Sequence, residues 1–97
     1  MLFHITHHHD ETTCPAHDKD AGDASFGAVL ATLEANVEQV VGAWVDPPGH
    51  DFFFVVEADD AAKIFAGLWP IIPAGTAQVR PVNSLQTALE TADELRS

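Results

Sequence analysis

Four of the six histidines and the single cysteine of this 97-residue chain fall within His7-His8-His9-Asp10-Glu11-Thr12-Thr13-Cys14-Pro15-Ala16-His17. On an extended strand alternate side chains share a face, so His7 and His9 point one way and His4 and His8 the other. Two imidazoles on one face with a thiol shortly after them form a soft donor set. Such a set suits a divalent transition ion: zinc, nickel, copper or iron. His50 joins it once the topology is worked out, so the expected metal ligands are His7, His9, Cys14 and His50. Each residue also has a plainer reading. His7 and His9 read equally as strand-end residues bonded to backbone, Cys14 as a small anchor of its loop, and His50 as part of a turn. Asp10 and His17 are spare donors on a solvated loop.

The elements that must position these groups follow from periodicity. The apolar opening reads as a strand over Leu2–His8. Asp10–Gly22 is polar, carries Pro15 and Gly22, and reads as a loop. Phe26, Val29, Leu30, Leu33 and Val37 recur at helical spacing, which predicts a helix over Ala24–Asn36 capped by Asp23 or Ser25. A strand over Glu38–Asp46, the turn Asp46-Pro47-Pro48-Gly49-His50 and a strand over Asp51–Ala58 make a hairpin. A second helix spans Asp60–Trp69, capped by Asp59 or Asp60 and stopped by Pro70 and Pro73. Thr76–Val82 is the fourth strand. Ser84 then caps a last helix striped by Leu85, Ala88, Leu89, Ala92 and Leu95.

This order, β-α-β-β-α-β plus a helix, predicts an α+β fold, a single ferredoxin-like sandwich over residues 1–97. With right-handed crossovers the strands lie four, one, three, two. The end of strand one then lies beside the start of strand three, bringing His7 and His9 to His50. Gly75–Ala77 arrives at the same end. Strand three, with Phe52-Phe53-Phe54-Val55-Val56, is apolar on both faces while helices cover one. A second copy packed sheet to sheet would cover the other, which predicts a homodimer with a barrel-like interior.

The opening His7-x-His9…Cys14-Pro15, the turn Pro47-Pro48-Gly49-His50, and the stretches Val55–Asp60 and Gly75–Val82 resemble a family of small, largely uncharacterised bacterial and archaeal proteins in the dimeric α/β-barrel superfamily. That superfamily includes cofactor-free monooxygenases, isomerases, haem-degrading enzymes, chlorite dismutase-like proteins and nickel-binding proteins. The resemblance therefore implies a fold and a dimer, not a reaction. It leaves an alternative to metal binding: a metal-free monooxygenase or isomerase with a histidine base and a small aromatic substrate in the barrel. Trp44, Phe52 and Phe54 could line such a cavity, but core or dimer packing is their plainer reading.

Composition narrows the partners. Fifteen acidic residues against four basic ones give a net charge of −11, which disfavours nucleic acid and anionic membranes. Arg80 is expected to pair with an acid. A lone cysteine forms no internal disulfide and suits a reducing compartment. Met1–Ile5 is too short for a secretory signal and lacks a basic segment, so the expected location is cytoplasmic.

Overall fold

In the computed structural model, which describes residues 1–97, the opening alternation becomes strand β1, Leu2–His9, with Ile5, His7 and His9 buried on one face. Strand β3, Asp51–Glu57, runs antiparallel beside it, with Ile5 opposite Phe54 and His7 opposite Phe52. Strand β4, Gly75–Val82, is antiparallel on the other side of β1. Strand β2, Gln39–Asp46, pairs with β3 and carries a bulge between Val40 and Gly42. The sheet order is β2-β3-β1-β4, which is four-one-three-two taken from the opposite edge. The result is a mixed α+β fold around an open antiparallel sheet.

Two helices supply the core-facing layer. Helix α2, Phe26–Asn36, buries Val29 and Leu33. Helix α3, Ala61–Gly67, buries Ile64. They pack on each other at Gly67, where a Cβ would lie 2.7 Å from Leu33 Cδ2 and 3.0 Å from its Cα. These side chains meet Ile5, Phe54 and Val56 from the sheet in one buried cluster. Each such side chain removed from water contributes about 1.5–3 kcal/mol.

The structure departs from the periodicity reading in several places. The Asp10–Gly22 loop ends in a helix, α1, Lys19–Ala24. It has no apolar stripe and is held by local polar bonds. Asp18 accepts from the amides of Asp20 and Ala21, and Lys19 pairs with Asp23 at 2.5 Å. Asp23 and Ser25 are therefore not side-chain caps of α2; the Ser25 hydroxyl donates back to the Ala21 carbonyl at 2.6 Å. Asp60, rather than Asp59, caps α3 by accepting from the Ala62 amide. That helix stops at Gly67, and Trp69–Ala74 forms a 3-10 turn containing both prolines. Arg80 meets no acid; its guanidinium donates to Gln78 Oε1 at 2.8 Å.

The last helix, α4, Leu85–Arg96, is capped by Ser84 as expected, since the Ser84 hydroxyl accepts from the Thr87 amide. Its apolar stripe is not buried, however, and the helix makes no substantial packing contact with any other element. The sheet face opposite α2 and α3 is also uncovered. Trp44 stands opposite Phe53 there, and its ring lies over Gly42. No helix is long and apolar enough to cross a membrane.

Candidate metal centre

Strand pairing sets the first half of the site. The His9 amide donates to the His50 carbonyl at 3.1 Å, so the two backbones are tied where β1 ends and β3 begins. Their rings meet edge to face, with His50 Nδ1 3.1 Å from His9 Nε2 sharing a hydrogen. His50 sits at a φ of 59°, in the left-handed region that costs a non-glycine residue about 1–2 kcal/mol. That conformation closes the turn between Asp46 and Asp51 and sets the His50 ring beside His9.

The second half comes from the loop. Asp10 Oδ1 accepts from the Thr12 amide at 2.8 Å and from the Thr12 hydroxyl at 2.5 Å. The Asp10 carbonyl accepts from the Cys14 amide at 3.0 Å. The chain thus doubles back directly after β1 and returns Cys14 to His9. The Thr12 hydroxyl and amide hold the Asp10 carboxyl below its usual range. One donor atom each from His9, Cys14 and His50 lies within 4.8 Å of the others. The His9–His50 nitrogen separation already approaches the ~3.3 Å edge expected between two nitrogens ~2.0–2.1 Å from one tetrahedral ion.

Of the four expected ligands, then, the structure gathers three. His7 stands apart. It is fully buried, and its Nε2–H donates to the Ile71 carbonyl at 2.8 Å, pinning the 3-10 turn to the sheet. Its ring centroid is 6.2 Å from that of His9. His7 Nδ1 and His9 Nδ1 are both buried without a partner. His17 is exposed and lies outside the group. His8 faces the other way and pairs with Asp51 at 2.6 Å.

One contributor, Phe26, was not singled out from the sequence as a neighbour of the site. It packs on His9 with centroids 4.6 Å apart, and Phe52, expected as a cavity-lining residue, lies 6.0 Å from the same ring. Together they form a dry wall on one side. On the other side a cleft of about 340 Å³ opens between His9, Asp10 and Thr13 and the start of β4 at Gly75. The helical stripe that contains Phe26 was visible, but nothing in it pointed at a histidine.

Burial pushes both imidazoles below the ordinary histidine value of 6.5. For His7 the bond to Ile71 opposes the shift; for His9 the neighbouring His50 adds to it. Neutral rings are the form that binds metal. The sign for stability follows directly. The unfolded chain takes up protons near 6.5 while the folded one resists, so this contribution is whole above 6.5 and is lost as pH falls below it. The metal-free protein should therefore melt at a lower temperature one unit below 6.5 than one unit above. An unchanged or raised midpoint would contradict the neutral assignment.

A family model described as a domain of unknown function (DUF3303) matches residues 1–96. No curated protein matches the chain.

Proposed function

The chain belongs to the DUF3303 family, whose description carries no activity, and from that premise we propose that it binds a divalent transition ion through His9, Cys14 and His50. The observation that carries the reading is the convergence of two imidazoles and a thiol from three separate segments within 4.8 Å. Three protein ligands leave a fourth position open, the pattern of a site that acts on water or a small ligand rather than one that only staples a fold. Mixed imidazole and thiolate donors suit zinc, nickel, copper or iron. His7 falls outside the three-donor group and acts as a positioning residue, its Nε2–H tied to the Ile71 carbonyl. The lone thiol fits a reducing, cytoplasmic setting.

We also propose that the fold is a ferredoxin-like single domain and that it works as a homodimer paired through the face bearing Trp44, Phe53 and Val55. Support comes from the strand order and from the absence of any element over that face. The alternative, a metal-free enzyme for aromatic substrates, has less behind it. It needs Phe52 and Phe54 to line the barrel interior over the open sheet face, whereas Phe54 belongs to the buried core on the helix side and Phe52 stands opposite His7 on that same side.

Cobalt(II) titration of protein made without a histidine tag tests the metal reading. The expected result is one ion per chain with a thiolate-to-cobalt absorption band, and loss of that band in Cys14→Ser. Absence of binding by the wild-type chain, or a band that survives Cys14→Ser, would overturn it.

A further inference from the structure

Helix α4 stands out of the fold. Leu85 is 75% exposed, Leu89 53% and Leu95 81%. A lone helix of this length is marginal in water, so its stripe needs a surface. The same chain carries a surface of the matching kind. Between α2 and edge strand β2 runs an apolar groove lined by Phe26, Leu30, Ala43, Trp44, Val45 and Phe52, among others, with no polar residue in its wall. Leu30 and Val45 remain 43% and 50% exposed there.

A chain's own arm does not reach its own groove. α4 follows β4, which lies at the opposite edge of the sheet from β2. Three strand spacings separate those edges, roughly 14 Å. Asn83 and Ser84 alone join β4 to α4, a link of about 7 Å at most, so the stripe begins at the β4 edge and cannot lie as a whole over the far one, although the helix itself is roughly 18 Å long. Helices α2 and α3 occupy the core-facing side between the two edges.

We propose that α4 is an arm exchanged between two copies of this chain, its leucine stripe seated in the other copy's groove between α2 and β2. Stripe and groove occur once per chain, so a two-fold pairing satisfies both at the same time. The surface area agrees. The chain exposes 6250 Å², whereas a folded protein of 10.4 kDa is expected to expose about 5,400 Å². The excess, roughly 850 Å², is close to the ~800 Å² that each partner buries in a stable complex. The radius of gyration of 15.5 Å likewise exceeds the ~12.5 Å of a compact chain this long. Anchors at i, i+3, i+4 and i+7 (Leu85, Ala88, Leu89, Ala92) are the pattern of a helix laid in a groove.

This inference rests on the homodimer reading and adds to it a second contact, distinct from the open sheet face. Its test uses full-length Leu89→Asp, which spoils the arm, and Val45→Asp, which spoils the groove. Both sites are half-exposed, and circular dichroism checks that each variant is folded. By light scattering after size exclusion the wild type is expected to be dimeric. Each variant alone should dissociate at least ~30-fold more readily. An equimolar mixture should regain dimer, because the intact arm of one variant meets the intact groove of the other. Variants that stay as dimeric as the wild type would overturn the arm while leaving the homodimer standing, and so would a mixture no more dimeric than its components. A monomeric wild type would overturn both.

Discussion

Replacing His9 by alanine is expected to weaken cobalt or zinc binding by more than ~100-fold, beyond the ~10–100-fold that losing a group behind the ligands costs. His9 is the member of the cluster that ties the other two together. Its amide holds the His50 backbone, its ring touches His50, and the turn that returns Cys14 begins at the next residue. His7→Ala should behave in the opposite way. It strips the Ile71 carbonyl of its donor in a fully buried place, which costs about 1–3 kcal/mol of stability, while the three donors stay together. The pair of variants therefore separates ligand from support. Titration reads the affinity and thermal unfolding reads the stability of each. If His7→Ala loses as much affinity as His9→Ala, His7 is a ligand after all and the site has four. If His9→Ala binds as the wild type does, the metal lies elsewhere.

That contrast shows how much of the site the residues declare by themselves. Alternation along β1 put His7 and His9 on one face, and the strand order then carried His50 to them across more than forty positions. Both steps need only the period of a strand and the handedness of a crossover. The separation of His7 from His9 needed more. It depends on a 3-10 turn at Trp69–Ala74 that presents the Ile71 carbonyl. Pro70 and Pro73 read as stops for the preceding helix, and they are equally at home inside such a turn. The return of Cys14 depends on Asp10 bonding to Thr12. Asp-x-Thr is a legible turn signal, but a polar loop offers many such pairs and periodicity does not rank them. Helix α1 was invisible for the same reason, because its stability lies in Asp18 and a Lys19–Asp23 pair rather than in a stripe. In α4 the stripe was plain and the surface it seeks was not, since that surface forms only when α2 and β2 come together.

Gly75→Ala should damage both fold and site through one collision. Gly75 opens β4 opposite His9, the last residue of β1. Its φ of −175° is ordinary extended backbone, so the glycine is not needed for conformation. It is needed for room. A Cβ there would sit 2.0 Å from the His8 carbonyl oxygen, 2.8 Å from the His8 carbonyl carbon and 3.0 Å from the His9 Cα. All three are backbone atoms held in the sheet, so no rotamer change relieves the clash. The strands must part where His9 is positioned. Overpacking that moves backbone costs about 3 kcal/mol, a large share of the ~5–15 kcal/mol that holds a small domain together. Because the end of β1 sets His9 against His50, and the Asp10 turn starts there, the opening should also spread the donors. The expected result is a lowered unfolding midpoint together with cobalt affinity reduced at temperatures where the variant is still folded. A variant as stable as the wild type would show that β4 can shift away at its first residue. A destabilised variant with unchanged affinity would show that the donors are held by the Asp10 turn and the β3 start without help from β4.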